Sequence, residues 1–296
     1  MNESIDLVTL RVVISAADFG SISSACNHLG LSVAAASTRI SLLEDSLGFR
    51  IFDRSPRGVH PTQAGHMLLE RSRALLSDAD RLAADLQDYS RGLKGHVRVL
   101  SNASALMEIL PSLIERFTRD YPLIQIEVEE RGSPDIPQAL LEGRVDVGIL
   151  DLPVAPPGLH FTDFFNDTLV LLVPQGHRLA GQPEVALRDA LEEPFIGLAN
   201  STALSLRLQG SASAEGQKLK VRMRMQSFDA QTRMIAGGLG VGVLPLEAIG
   251  PQLAQLPLVA IPLTNSWSRR THRIAVRNDP VPSPATKTFI DALLAR

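Results

Sequence analysis

Hydrogen-bonding and cationic side chains are concentrated between residues 32 and 57. Arginine can donate two parallel hydrogen bonds to guanine, hydroxyls can bond several base edges, and short apolar side chains can contact the thymine methyl group. The residues predicted to face bases are Ser32, Val33, Ala34, Ser37, Thr38 and Arg39. The cations predicted to contact phosphates, which give affinity without sequence choice, are Arg50, Arg54 and Arg57. Together the two sets predict a local DNA-binding surface.

A second group of mostly polar residues lies where strands are predicted to end. Open α/β sheets bind ligands beyond the carboxyl ends of their strands, where helix amides and hydroxyls can hold a small molecule. The candidates are Ser101, Asn102, Ala103, Ser104, Gly132, Ser133, Asp151, Asn200, Ser201, Thr202, Ser227 and Phe228. Singly, each could be an ordinary cap or turn residue; as a set they predict an effector cleft. Asp151 would repel a carboxylate there, so an anionic effector is not assumed.

The first group lies in a segment with helical spacing of its apolar residues. The pattern predicts a short apolar helix from residue 5, a second helix over 22–29 capped by Ser21, and a third from Ser32 to about residue 47. Two helices separated by a glycine-containing turn form a helix-turn-helix. Two short extended stretches over 49–61 predict a small wing, whose arginines form a positive patch.

Residues 62–91 are predicted to form one long helix. Leu68, Leu75, Leu82 and Tyr89 recur every seven residues, which is the spacing of a coiled-coil seam. At ~1.5 Å per residue the helix would extend roughly 45 Å. So long a helix with a narrow apolar stripe seldom packs only within its own domain, and we therefore predict that it pairs two copies of the chain.

From residue 96 onwards, short β-rich runs alternate with helical stretches. The predicted strands cover 97–100, 123–128, 145–150, 169–173 and 241–244, and helices are expected over 105–119 and 228–236. This alternation predicts mainly parallel sheets with helices on both faces. About 200 residues suit two small α/β lobes with a cleft between them.

Composition limits the class of protein further. The chain has 296 residues and a net charge of −3, so any DNA-binding surface must be local. Cys26 is the single cysteine, which excludes an internal disulfide, and its apolar helix face predicts a packing role. The N-terminus lacks a signal-peptide pattern and no apolar run approaches 18 residues. We therefore expect a soluble cytoplasmic protein without a membrane partner.

Catalytic and cofactor motifs are not found in the sequence. The seven histidines lack metal-ligand spacing, and no nucleophile motif is present. The glycine-rich run 237–242 leads into a strand, whereas a dinucleotide-binding loop leaves a strand and opens a helix. We therefore predict that the protein is not an enzyme and that it binds no metal or cofactor, only a small-molecule effector of unknown identity.

The order and spacing of several motifs resemble those of LysR-type transcriptional regulators. In the first part these are GSISSA at 20–25, LS at 31–32, STRI at 37–40, IFDR at 51–54 and PTQAG at 61–65. Looser matches are YP at 121–122, LEGRVDVGI at 141–149, VP at 173–174 and GGLGVGVLP at 237–245. Family members usually carry Gln-Pro where Val33 and Ala34 stand and Arg in place of Thr38, so no operator sequence is transferred.

The resemblance implies an N-terminal all-α winged helix-turn-helix (1–61), a long linker helix (62–91) and a two-lobed, periplasmic-binding-protein-like α/β effector domain (95–296). Lobe I would comprise about 95–163 and 268–296, and lobe II about 164–267. The implied partners are double-stranded DNA, a small-molecule effector and further copies of the chain, as a homodimer and a homotetramer. A small-solute-binding module without a DNA role is the main alternative, and an enzyme with an added regulatory helical domain is a second.

Overall fold

The computed structural model describes residues 5–55, 58–90, 95–198 and 202–295. The chain falls into two compact units that divide close to residue 91. The first is helical with a small hairpin, and the second is α/β.

Local signals define the helices of the first unit. Their bounds are α1 Leu7–Asp18, α2 Ile22–Leu29, α3 Val33–Leu47 and α4 Gln63–Ser90. Ser21 and Ser32 accept hydrogen bonds from backbone amides of the following turns, which confirms both predicted N-caps. Gly30 and Gly48 adopt the left-handed conformation that ends a helix, and so place α2 and α3 on either side of a tight turn.

A single apolar cluster joins α1, α2, α3 and the hairpin. Its fully buried members include Val13 from α1, Ala25 from α2 and Ile40 from α3. Cys26 is also buried in this cluster, as its position on the apolar face predicted. The core uses one face of each helix and leaves the N-terminal half of α3 largely exposed.

The linker helix α4 exposes a stripe of leucines. Leu75, Leu82 and Leu86 are 49%, 61% and 62% exposed. Side chains this large and apolar are usually covered in a functional assembly when they form a contiguous stripe. The predicted seam therefore lies on the exposed face of α4 at Leu75 and Leu82, whereas Leu68 packs against the apolar cluster of the first unit. The side chain of Tyr89 lies outside the described residues.

The wing is an antiparallel hairpin of β1, Phe52–Ser55, and β2, Gly58–Pro61. It is attached to the turn between α1 and α2, because the amide of Val59 donates to the carbonyl of Gly20 at 2.9 Å. Gly58 has φ of +128°, and a Cβ there would lie 2.2 Å from the Gly20 oxygen. Only glycine fits this close approach.

Gly58→Ala is therefore expected to detach the wing from the helical core. The local cost is on the order of 1–3 kcal/mol, and it should appear as faster hydrogen exchange of the peptide that contains Val59. Gly30→Ala is the matched control, since Gly30 also has a positive φ but a Cβ there meets nothing within 4 Å. Equal exchange of that peptide in the two variants would contradict the contact between Gly58 and Gly20.

The second unit contains most of the strands. Its strands are β3 Gly95–Ser101, β4 Ile124–Glu130, β5 Val147–Leu150, β6 Leu159–Pro174, β7 Phe195–Leu198, β8 Val221–Met225, β9 Gly242–Pro245, β10 Leu258–Pro262 and β11 Arg269–Arg277. Its α-helices are α5 Ala103–Glu108, α6 Leu110–Asp120, α7 Ile136–Leu141, α8 Ala203–Ala214, α9 Phe228–Ala236, α10 Leu246–Leu253 and α11 Pro284–Leu294.

Strand β6 is shared by two lobes. Its first part pairs with β11, which continues through β5 and β3 to β4. Its second part pairs with β9 and β10, close to the two-stranded β7–β8 sheet. Each lobe has its own apolar cluster, one around Phe117 and Phe289 and the other around Leu171 and Phe195. The two lobes are therefore joined through a continuous strand.

Two sequence-based expectations need correction. The sheets are not mainly parallel: β3 pairs in parallel with β4 and β5, and β7 with β8, but β6 and β11 run antiparallel to their neighbours. The helix expected over 105–119 is divided at Ile109 into α5 and α6. Pro111 lies in the first turn of α6, where it lacks an amide proton and prevents one continuous helix.

Candidate DNA-contacting surface and ligand cleft

The N-terminal half of α3 presents the residues predicted to face bases. Ser32, Val33, Ala34 and Thr38 are exposed, and Ser37 is half-buried. The Ser32 hydroxyl accepts the amide of Ala35 at 3.2 Å. Short side chains on this face leave the backbone of α3 accessible along its first two turns.

Arg39 is the single cation on α3, and it contacts the start of α1. Its Nη1 donates to Oδ2 of Asp6 at 3.0 Å and to Oγ1 of Thr9 at 3.1 Å. The hydroxyl of Thr9 holds the pKa of Asp6 below its ordinary value, although partial burial raises it; backbone amides and Arg39 also lower it. Asp6 is therefore ionised and acts as an acceptor for the guanidinium.

The wing is attached to α3 by the side chain of Glu44. Its Oε1 accepts the amide of Ile51 at 2.7 Å and that of Phe52 at 3.2 Å, just after the exposed side chain of Arg50. Arg54 lies on β1 with its side chain outside the described residues, and Arg57 lies outside them altogether. Of the predicted phosphate contacts, only Arg50 is thus located as an exposed side chain.

Three helices of the second unit begin around one cleft. Asn102, Thr202 and Ser227 are the N-caps of α5, α8 and α9, and each accepts a backbone amide of its own helix. Ser133 packs behind Asn102, whose Nδ2 donates to its hydroxyl at 3.2 Å. The same hydroxyl accepts the amide of Asp151 at 2.9 Å. Asn102, Thr202 and Ser227 are therefore helix caps and cleft-lining groups at once.

The cleft contains two adjoining cavities of about 70 and 270 Å³. The residues common to both are Ala103, Glu130, Arg131, Gly132, Leu198, Thr202 and Phe228. Asn102, Ser104, Ser133 and Asp151 line the smaller one only, and Ser227 lines the larger one only. Most of the predicted effector residues are therefore brought together, with lobe I supplying one wall and lobe II the other.

A cluster of buried charges closes the inner end of the cleft. Arg270 donates Nε to Oδ1 of Asp167 at 2.8 Å and Nη2 to Oδ2, and its Nη1 lies 3.5 Å from Oδ2 of Asp151. Its Nη2 also donates to Ser104 at 2.9 Å. Arg207 of α8 donates Nη2 to both carboxylate oxygens of Asp151 at 3.1 Å. Two arginines thus neutralise two aspartates.

Asp167 is the most enclosed acid of this cluster, with a side chain that is 0% exposed. Burial raises its pKa, but the adjacent imidazole of His272 and the hydrogen bonds from Arg270 outweigh that effect and leave the pKa below its ordinary value. Nε2 of His272 lies 3.0 Å from Oδ2 of Asp167, and Nδ1 lies 3.0 Å from Nδ2 of Asn102. The imidazole also stacks on Phe165 with ring centroids 4.3 Å apart.

The structure corrects the sequence-based site in two places. Ser101 is fully buried and its hydroxyl donates to the carbonyl of Asn102, because the last residues of β3 are enclosed in the sheet. Asp151 faces the cleft as expected, but Arg207 and Arg270 neutralise the charge that was expected to repel a carboxylate. Asn200 and Ser201 lie outside the described residues.

The charged partners of Asp151 were missed from the sequence. Arg207 lies on α8, and Arg270 belongs to the segment RRTHRIAVR of β11, where four arginines and one histidine in nine residues were the available signal. In the described ranges, no group of three or more His, Cys, Asp or Glu side chains could hold a metal ion. Within the same ranges, no helix has the length and apolar character needed to span a bilayer.

A helix-turn-helix with an exposed recognition helix, joined by a long helix to a two-lobed ligand-binding unit, defines a ligand-responsive DNA-binding regulator. The family model described as "Bacterial regulatory helix-turn-helix protein, lysR family" matches residues 7–66, and "LysR substrate binding domain" matches residues 90–296. The chain therefore belongs to the LysR family of transcriptional regulators, with a DNA-binding helix-turn-helix followed by an effector-binding domain.

Comparison with individual proteins supports the same family over nearly the whole chain. The Escherichia coli K12 regulator YbhD is 27% identical over 98% of this chain and 91% of its own, and YeiE of the same strain is 29% identical over 97% and 96%. Both are described as uncharacterized HTH-type transcriptional regulators. Among solved structures, the LysR family regulator CbnR has a TM-score of 0.66 and 18% identity, and 98% of each chain is covered. That similarity supports the fold.

Proposed function

We propose that the protein is a cytoplasmic homo-oligomeric regulator that binds operator DNA through α3 and the wing, under the control of a small molecule in the cleft. The exposed leucine stripe of α4 supports pairing of two copies, which would present two α3 helices to one duplex. A tetramer would join two such pairs. In this proposal the protein catalyses no reaction and needs no metal or cofactor.

The observation that carries the proposal is the convergence of three helix starts on one cleft. Hydroxyls of Ser104, Thr202 and Ser227 lie where a ligand could be hydrogen-bonded, while Leu198 and Phe228 offer apolar contact. A cavity of about 270 Å³ suits a small metabolite, because drug-sized ligands usually occupy about 300–1,000 Å³. Since Asp151 is neutralised, the inner wall does not reject a carboxylate.

Control of DNA binding is proposed to act through the contact between Arg207 and Asp151. Arg207 lies on α8 of lobe II and Asp151 at the end of β5 in lobe I, so this ion pair joins the two walls. An effector that binds between the walls changes the free-energy difference between two arrangements of the lobes, one with the walls of the cleft close together and one with them apart. A preference of a few kcal/mol for one arrangement shifts its population about 100-fold.

The test combines DNA selection, footprinting and a variant with a filled cleft. Wild-type protein is used to select duplexes from a random library, and a panel of small metabolites is then screened for stabilisation of the protein and a changed footprint. Ala103→Phe fills the cleft and is expected to abolish both ligand effects while leaving the unliganded footprint intact. Ala214→Phe, at the exposed end of α8, is the matched control and should respond like wild type.

Two outcomes would contradict the proposal. Failure of the folded wild-type protein to select any DNA sequence would favour a solute-binding module without a DNA role. A metabolite that still stabilises Ala103→Phe, or still changes its footprint, would place the effector somewhere other than this cleft.

A further inference from the structure

We infer that Asp6 and Thr9, at the start of α1, are positioning residues that hold Arg39 in the orientation needed to read a guanine. The inference rests on the proposed role of α3 in contacting bases. It adds two residues that precede the helix-turn-helix pair and that the sequence pattern does not connect with DNA.

Asp6 uses its two carboxylate oxygens for different purposes. Oδ1 accepts the amides of Val8 and Thr9, each at 2.9 Å, and so caps α1. Oδ2 accepts the Thr9 hydroxyl at 2.6 Å and Nη1 of Arg39 at 3.0 Å. The second oxygen is not needed for the cap and is available for the guanidinium.

Thr9 provides the second acceptor for Nη1 of Arg39. Its side chain is buried, with the residue only 2% exposed, and its hydroxyl donates to Asp6 while accepting from Arg39. Nη1 of Arg39 is therefore fixed between two acceptors that are themselves bonded to each other. Charge-assisted hydrogen bonds of this kind are short and directional, so they restrict the side-chain rotamers of arginine before any DNA is bound.

The other edge of the guanidinium is left for DNA. Among the described residues, Nε and Nη2 of Arg39 make no hydrogen bond, and the side chain is 41% exposed. Two parallel donors are what the O6 and N7 acceptors of guanine require. Since Arg39 is the single cation on α3, guanine recognition by this helix depends on how this one side chain is held.

A purely structural role explains the contacts less well. The Asp6–Arg39 pair is 44% and 41% exposed, and exposed ion pairs contribute little to folding stability. The helices α1 and α3 are already joined by the apolar cluster that contains Val13 and Ile40. Packing of the apolar cluster holds the two helices together but does not orient the guanidinium of Arg39. The hydrogen bonds to Asp6 and Thr9 supply that orientation.

A double-mutant cycle on selected DNA tests the inference. Asp6→Asn keeps a good N-cap residue but turns one acceptor into a donor, so it should weaken binding to the wild-type-selected duplex about tenfold and leave random duplex binding unchanged. In the Arg39→Ala background the same change should have no further effect. Thr9→Val should behave like Asp6→Asn, whereas Thr9→Ser, which keeps the hydroxyl, should bind like wild type.

A modified base provides an independent readout. Replacing the recognised guanine by 7-deazaguanine removes the N7 acceptor, and this should weaken wild type but cause little further loss in Asp6→Asn. A positioning role predicts that selection with Asp6→Asn recovers the same consensus except for the guanine. Loss at every position would instead indicate damage to α1 and would overturn the inference.

The remaining outcomes separate this inference from the proposed function. If Asp6→Asn weakens binding equally with and without Arg39, Asp6 acts through the helix cap and the inference is wrong, while DNA reading by α3 stands. If Arg39→Ala binds the selected duplex like wild type, the inference is wrong because Arg39 does not read a base. If wild-type protein selects no sequence, the proposed function fails and the inference fails with it.

Discussion

Asp167→Asn is expected to lower the free energy of unfolding of the second unit by about 3–5 kcal/mol, the usual cost of breaking a buried ion pair from one side. The side chain of Arg270 is only 4% exposed, and Asp167 accepts its Nε and Nη2 as well as facing Nε2 of His272. Asparagine has the same shape as aspartate, but its side-chain amide places an N–H donor against the guanidinium of Arg270. Asp151, 3.5 Å from Nη1, cannot replace the lost carboxylate.

The natural probe for this measurement is Trp267, the single tryptophan of the chain, which packs against the core of lobe II. Urea unfolding followed by its fluorescence reports on the second unit. Asp163→Asn is the matched control, because Asp163 is also on β6 and paired with an arginine of β11, but its side chain is 74% exposed. Its loss should cost about 0–1 kcal/mol. Equal costs for both variants would contradict the buried cluster.

Comparison of wild type with Asp167→Asn also predicts how the difference in their free energies of unfolding depends on pH. The pKa of Asp167 is below its ordinary value of 3.8 in the folded state, so the unfolded chain binds the proton more readily. The stabilising contribution is therefore complete above about pH 5 and is lost progressively as pH falls through 3.8 towards the folded pKa. The difference between wild type and Asp167→Asn should narrow over that acid range and stay constant between pH 5 and 7.

Arg39→Ala is expected to remove sequence preference rather than general affinity for DNA. A bidentate contact to guanine contributes about 1–3 kcal/mol of discrimination, which is a factor of roughly 5–150 at each half-site. Binding to the wild-type-selected duplex should fall by that factor, whereas binding to random duplex should change little. Competition between the two duplexes at constant salt measures the ratio directly.

Arg50→Ala is the comparison for this prediction. Arg50 is exposed beside the wing and is assigned to phosphates, so its loss should weaken both duplexes alike. The slope of log affinity against log salt should fall by about one in Arg50→Ala. A uniform loss in Arg39→Ala, with the same change in slope, would show that Arg39 contacts phosphate instead of a base.

The helical unit could be predicted well because its signals are local. Ser21 and Ser32 cap their own helices, and Gly30 adopts a φ of +67° at the end of α2, so each boundary depends on a few neighbouring residues. The two short extended stretches over 49–61 predicted the wing in the same way. In contrast, the role of Asp6 could not be predicted, because its contact with Arg39 joins residues 33 apart that only the folded core brings together.

Strand directions and the charged end of the cleft depend on distant pairing. Whether β11 runs parallel or antiparallel to β6 cannot be inferred from periodicity, since both directions alternate side chains equally. Arg270 lies opposite Asp167, and His272 opposite Phe165, only through that antiparallel register across more than 100 residues. The helix N-caps that line the cleft could be predicted from the positions of the strand ends. The ion pairs behind them could be found only from the register of β6 and β11.

Because β6 is shared by the two lobes, lobe II could be exchanged as one continuous segment of the chain. The chain leaves lobe I after Thr168 and returns at Arg269, and these two residues are paired partners in the β6–β11 ladder. Replacing 169–268 by the corresponding segment of a relative would therefore join backbones at adjacent positions without a new loop. The cavity-lining Thr202, Ser227 and Phe228 would be exchanged together with Arg207, the partner of Asp151. Chimeras of this kind should therefore respond to new metabolites while keeping the same operator, which is the property wanted in a genetically encoded biosensor.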